Sequence, residues 1–408
     1  MAAAAPHRHQ AVRSFCLAAF ARLGPDADAG DIPFVVESRG GLYEYRPLLR
    51  DHVEARVHAL AQLEDARIAL DELRREPATG IFAPAGSQAA AERALFRSIL
   101  VPLLVSTAEA CGGFDWEDGA FERVYGELEE SLFGDRRIQA AAAPLVGVSL
   151  GAPVELARGL RVRVSSAAEL AARWSGGREY LPDGFGDERE RSCVLELERE
   201  VEPGVTALPD AAGELADAVT ALRLATGAGI AAGAAVLRQL DRRPIEPGPM
   251  LGIAAALPAG EPTRLDPWRG KLAADLLARL TAIEEDVELG EAIERWELSL
   301  FEAGRGRAER LREALAAMLG GADGLWAAVM RASILIGETA ADRAELADGL
   351  RRVAHGEADD GAAETVRRVL VETILHDDRG RLVAGLDDVL LGLRPHPAGS
   401  FAARAGAA

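Results

Sequence analysis

A chain of 408 residues is long enough for about two or three ordinary domains, each burying its own core, so size demands no disulfide or structural metal. With 49% hydrophobic but only 5% aromatic residues, those cores must come from Leu, Val, Ile and Ala, which favours helices. A formal charge of -19 excludes nonspecific polyanion binding over the surface at large and leaves only a local arginine patch for nucleic acid.

Cys16, Cys111 and Cys193 lie far apart and are odd in number, which suits neither a secreted disulfide framework nor zinc spacing; reduced thiols and a cytoplasmic location are expected. Residues 1–10 carry no apolar run after their basic residues, so they lack the logic of a signal peptide and read as a frayed tail. Residues 1–34 are expected to form this tail with a short helix. The longest uncharged stretches, around 138–154 and 224–237, are interrupted by Gly or Pro, so no membrane span is expected.

Residues 35–144 read as a helical region. Val53, Val57, Leu60, Leu63, Ile68 and Leu70 recur with mostly helical spacing, predicting one long or two short helices over 45–75, stopped by Pro77 and Gly80. A second stretch over 88–110 should kink at Pro102, and a third over 119–132 should end at Gly134. Residues 145–264 read as an α+β middle domain, because Val154, Leu156, Leu160, Val162 and Val164 alternate with small or charged residues. Ser166 and Glu169 form a capping-box signature for a short helix ending near Trp174, and a glycine-bearing loop over 176–187 leads to a strand over 192–201. A helix over 214–224, a Gly-rich segment and a Pro-rich run over 244–262 with short edge strands follow.

Asp266-Pro267 marks a helix start, since aspartate caps free amides and proline tolerates the first helical position. Residues 265–394 then read as wholly helical. Successive stripes are Leu272, Leu276, Leu280 and Ile283; Ile293, Trp296, Leu300 and Phe301; Leu311, Leu315 and Met318; Trp326, Val329, Met330 and Ile334; Leu346, Leu350 and Val353; and Val366, Val369, Leu370 and Ile374. Breaks are expected at Gly304 and Gly306, a last helix reaches about Leu393, and 395–408 form a disordered tail. The expected fold class is mainly α with a smaller α+β middle domain and a C-terminal helical bundle.

Gly227, Gly229 and Gly233 superficially suggest a phosphate loop, but they follow a helical pattern and read instead as a turn. His52 and His58 are six apart on one predicted helix and face different ways, so they do not pair on a metal. His376-Asp377-Asp378 falls where a helix should end, and Asp115, Glu117 and Asp118 sit where they suit a helix dipole. No cofactor and no metal are expected.

The segment 331–356, RASILIGETAADRAELADGLRRVAHG, is more informative. It resembles the C-terminal helical part of HEPN-domain proteins, in particular their Apea-like branch, where an apolar helix bearing an arginine precedes a second helix ending in an arginine motif and His-Gly. Residues 293–320, with Arg295, Trp296, Glu313 and Leu315, are similar in texture to that branch's preceding helices, and a vaguer likeness touches 144–174. The resemblance covers about the last third of the chain. It implies a HEPN-like bundle, metal-independent ribonuclease chemistry and two motifs facing each other across a homodimer.

Arg351 and His355 stand four apart and share a helical face, flanked by Arg352. An arginine can hold a phosphate by bidentate hydrogen bonds while a histidine moves a proton to or from a ribose hydroxyl. Arg351 and His355 are therefore the catalytic candidates and Arg352 the substrate-binding one. They enclose three residues, fewer than is usual in the family, and His355-Gly356 equally suits a helix C-terminus, where a cation and a glycine are at home. The first functional expectation is a non-catalytic interaction or RNA-binding module; the second is a metal-independent ribonuclease in a defence or toxin setting. A metabolic enzyme with a pocket between the middle and C-terminal domains is a third. Expected partners are RNA through a local arginine patch, a protein, or a second copy of the chain; no membrane is expected.

Overall fold

The computed structural model describes residues 5–28, 32, 34–39, 42–82, 87–134, 137–165, 193–202, 208–233, 236–241, 243–247, 262–280, 286–357, 359–376 and 378–395. The expected helix after Ser166, the loop over 176–187, the middle of the Pro-rich run, Ile283 and the tail after 395 lie outside these residues.

Helix α1 (Pro6–Asp28) opens on a proline, whose missing amide hydrogen is one that a helix start cannot use. The expected frayed tail is thus helical from its sixth residue, because Arg8 is buried. Its guanidinium donates to Glu76 at 2.9 Å and to the Tyr125 hydroxyl at 3.2 Å. Val12, Phe15, Cys16, Ala19 and Leu23 bury the other end of the same face.

The region expected to be helical from residue 35 begins instead with an antiparallel pair, β1 (Phe34–Arg39) and β2 (Leu42–Pro47). Phe34-Val35-Val36 and Tyr43 favour extended backbone. Helical structure over 49–74 is divided into α2 (Leu49–Ala55), α3 (Val57–Leu60) and α4 (Glu64–Arg74). Next come α5 (Gln88–Leu95), a π turn (Phe96–Leu100) and α6 (Val101–Cys111). Pro102 has no N–H to offer the carbonyl one turn back, so the expected kink takes the form of a widened turn. This helical run, Gln88–Cys111, is long and apolar enough to cross a membrane, and 72% of its most apolar window is buried inside the fold. Helix α7 (Asp118–Phe133) closes this first core.

Strand β3 (Arg137–Val146) starts ahead of the expected boundary at 145. After it come β4 (Val148–Leu150), β5 (Val154–Ala157), β6 (Leu160–Val164), β7 (Cys193–Val201), α8 (Ala211–Thr226), β8 (Ala231–Ala232), β9 (Leu237–Leu240), β10 (Arg243–Pro247) and β11 (Thr263–Leu265). The main sheet runs β10-β9-β3-β7-β6-β5, antiparallel throughout, with β8 also on β3, while β4 and β11 form a short parallel pair. The two strands read from alternation are neighbours, with Leu160 opposite Leu197. Because side chains alternate along a strand, Ala141, Ala143, Leu195 and Leu197 join the core with α8, while Ala140, Ala142, Glu196 and Glu198 take the other face.

Asp266 caps α9 (Pro267–Leu280) as expected, its carboxylate accepting the Arg269 N–H at 2.8 Å. Helices α10 (Val287–Ser299), α11 (Gly304–Leu319), α12 (Gly324–Ile336), α13 (Ala340–Ala354), α14 (Asp360–Leu375) and α15 (Arg379–Leu390) complete the bundle. Gly304, with a φ of +58°, marks the expected break between α10 and α11, while Gly306 lies inside α11. The chain is mainly α with a smaller α+β part. One core runs from Ala141 in the sheet to Leu386 in α15, across residue 265. Buried Arg223 of α8 ties the two sides together, donating to Glu297 of α10 at 3.1 Å and to the Ile230 carbonyl at 2.7 Å.

Candidate functional site

Helix α13 carries all three candidate residues at or near its C-terminal end. Its start is a full capping box: the Thr339 hydroxyl accepts the Asp342 N–H at 3.1 Å, and the Asp342 carboxylate accepts the Thr339 N–H at 2.9 Å. That backbone hydrogen bond holds the Asp342 carboxyl below the usual range. Its end is a Schellman turn, with the Gly356 N–H on the Val353 carbonyl and the Glu357 N–H on that of Arg352, both 2.9 Å. Gly356 takes a φ of +86°, a left-handed conformation that a side chain resists. His355 is the residue at which the helix stops, and it is exposed. The helix-end reading of His355-Gly356 is therefore what the backbone adopts.

The two arginines lean on different neighbours. Arg351 donates to Asp348 at 2.6 Å, and its guanidinium lies 4.8 Å from the ring centroid of Trp326 on α12. Arg352 faces Asp359 at 3.4 Å, a carboxylate that also caps α14 by accepting the Ala362 N–H at 2.7 Å. That cap, helped by Arg352, keeps the Asp359 pKa low. A cleft of about 460 Å³ beside Arg352 is lined by Glu338, Asp342, Glu345 and Asp359, against which Arg352 and Arg368 are the lining cations. Carboxylates thus dominate where a phosphate backbone would have to lie.

Arg331, the arginine of the apolar helix that opens the segment 331–356, is a clamp. It is buried, takes both oxygens of Asp387 at 2.7 and 2.8 Å, reaches Asp323 at 2.5 Å, and donates to the Leu319 carbonyl at 2.8 Å. It therefore joins α12 to α15 and satisfies the end of α11.

The remaining sequence candidates have structural roles. His52 and His58 belong to two helices, α2 and α3; His52 is buried with its Nδ1 at 3.2 Å from Arg56 and its ring against Phe114. Asp118 accepts from Arg13 at 2.6 Å and from the Trp116 indole at 2.9 Å, and the Arg13 bond chiefly lowers its pKa. Gly227 ends α8 with a φ of +71°, as a helix stop. His376 ends α14, and Asp378 caps α15. Burial pushes the Cys193 thiol up to about 12 and raises that of Cys16, so neither is poised as a thiolate. Among the described residues no group of three or more His, Cys, Asp or Glu is placed to hold a metal ion.

Sequence reasoning put Trp326 in a core stripe, yet it is 57% exposed and forms the platform for Arg351. Helical spacing gave no signal of this, although Asp348 three residues before Arg351 was readable as its partner. Comparison with models of known protein families, with curated proteins and with solved structures finds no match to this chain.

Proposed function

We propose that the chain is a HEPN-like helical protein whose C-terminal bundle is a non-catalytic interaction module, and that it meets a second copy of itself through the end of α13. The observation that carries this reading is the stacking of Arg351 on the exposed ring of Trp326. Tryptophan and arginine dominate the energetics of protein interfaces, and a pair already assembled in the free chain loses little entropy on docking. The resemblance of 331–356 to proteins whose motifs face each other across a dimer supports a second copy as the occupant. RNA is disfavoured because Arg351 and Arg352 are each matched by a carboxylate and the neighbouring cleft is acidic.

The second reading, a metal-independent ribonuclease, is favoured by the shared face of Arg351 and exposed His355. Sedimentation velocity over a concentration series separates the two. The wild type is expected to dimerise, and Trp326→Ala or Arg351→Ala to weaken the dimer by about tenfold or more with helical circular dichroism unchanged. A monomer at every concentration, or a dimer indifferent to both substitutions, overturns the proposal. Cleavage of single-stranded RNA in EDTA that is lost in His355→Ala would put the ribonuclease in its place.

A further inference from the structure

The outer face of the main sheet, turned away from α8, forms a trough. Its central strand β3 offers only small side chains there, Ala140 and Ala142. Their neighbours across the ladder are longer: Ala140 lies between Glu198 of β7 and Gln239 of β9, and Ala142 between Glu196 and Leu237. Helix α7 forms one side of the trough with Glu127, Glu130 and Ser131, leaving a cleft of about 620 Å³, within the usual size of a small-molecule pocket.

Among the described residues the lining includes the carboxylates of Glu127, Glu130, Glu196, Glu198 and Asp241 and no cationic side chain. Glu196 is held by Arg161 and Arg163 from β6, at 3.0 and 2.8 Å. Burial lowers the pKa of Arg243 to about 10, against the raising effect of the charges of Asp241 and Glu127. Acidic crowding alone does not make a site, but buried polar atoms here point to a ligand. Ser131 is 7% exposed, lines the cleft, and its hydroxyl has no hydrogen-bond partner. The second oxygen of Asp241 is likewise enclosed and unpartnered, although the first is fixed by the Ile138 N–H at 2.7 Å. Buried polar groups are normally satisfied, so these are groups for a ligand to satisfy.

The charges do not converge on a point, which disfavours a single metal ion. Glu196 and Glu198 are two apart on one strand, roughly 6–7 Å along the sheet. Glu127 and Glu130 face them from one side of a helix at roughly 5–6 Å spacing. Between the two rows lies an apolar floor of alanines with Ile138 and Leu237 at its ends. Charges spread in two rows over a hydrocarbon floor suit a molecule whose ammonium groups are separated by methylenes. We infer that this trough binds an extended aliphatic polyamine, its ammonium groups on Glu130, Glu198 and Asp241, its methylenes over Ala140 and Ala142, and one N–H donated to the Ser131 hydroxyl.

Isothermal titration of the full chain with spermidine, with magnesium at matched ionic strength as the control, tests the inference. Saturable one-to-one binding is expected with spermidine and not with magnesium. Glu198→Gln, isosteric and on an exposed side chain, should raise the dissociation constant by about tenfold. Ala140→Leu should fill the floor and abolish binding, and Glu64→Gln on the distant helix α4 should change nothing. Absence of saturable binding, equal binding of magnesium, or affinity that Glu198→Gln leaves untouched overturns the site, whether or not Ala140→Leu folds. The dimer measurement above reads a different surface, so either proposal can fail without the other.

Discussion

Helix α7 meets α1 through rings as well as the ion pairs Arg13–Asp118 and Arg8–Glu129, whereas α8 meets α10 through the buried pair Arg223–Glu297. In the first core Phe121 and Tyr125 pack against His9 with centroids 5.5 and 4.7 Å away, and Phe15 packs edge-on against Phe96 at 5.9 Å. In the second, larger core, buried arginines make the ties: Arg223 to Glu297, and Arg331 to Asp387 and Asp323. Arg379 adds a bridge from α15 to Asp286 at 2.8 Å. Ring packing is broad and tolerates small shifts, but an arginine fork fixes one geometry and leaves a costly charge when its partner is lost. A core with few aromatics can thus still be specific about how its helices meet.

The largest expected contrast is between two fragments. Residues 1–134 contain nearly all of the first core and should unfold in a cooperative thermal transition. Residues 265–394 lose α8 from the surface of α9 and leave Glu297 without Arg223, so circular dichroism should show a far lower midpoint or no cooperative transition. A fragment as stable as the intact chain would mean that the two sides of residue 265 are independent.

Single substitutions sharpen the same comparison. Phe121→Ala should cost about 3–5 kcal/mol by emptying a ring-packed site. Glu297→Ala should cost a similar ~3–5 kcal/mol for another reason, by leaving Arg223 buried without its carboxylate. Removing both charges, Arg223→Met with Glu297→Leu, should recover most of that loss in denaturant unfolding, as no second change near Phe121 would. Failure of the double variant to recover would show that Arg223 acts through its bond to the Ile230 carbonyl instead.

Arg331→Ala should cost less, about 1–3 kcal/mol, because Asp323 and Asp387 are partly exposed and water can take the arginine's place. The smallest effect is one of pH. Burial works to raise the Asp286 pKa, but hydrogen bonds from Arg379 hold it below the ordinary value; Asp342 and Asp359 are lowered by the backbone N–H groups they cap. A carboxyl with a lowered folded pKa binds protons more readily when unfolded, so its stabilisation is full above the unfolded pKa of about 3.9. It is lost as pH falls through the lower folded value. The bundle's melting temperature should therefore hold down to about pH 5 and decline below about pH 4. A flat profile to pH 3 would remove these caps as contributors.

Local order was largely legible in the sequence. The stripes Leu311-Leu315-Met318 and Val366-Val369-Leu370 became buried helix faces, Asp266-Pro267 began a helix, and His355-Gly356 ended one, because each depends on neighbours within a turn or two of the chain. The pair β1 and β2 was missed where β-forming residues lay next to a helical stripe, and α1 was underestimated because the partners of Arg8 lie on Glu76 and Tyr125. Only the tertiary structure decided what the arginines do. Arg331 became a clamp, Arg351 stacked on a tryptophan that helical spacing had placed in the core, and Arg223 found Glu297 across the expected domain boundary. The trough above Ala140 and Ala142 likewise exists only because β7, β9 and α7 converge on β3. Spacing along a chain fixes which side of an element a residue takes, but the choice of partner is made between elements, where sequence separation carries no periodic signal.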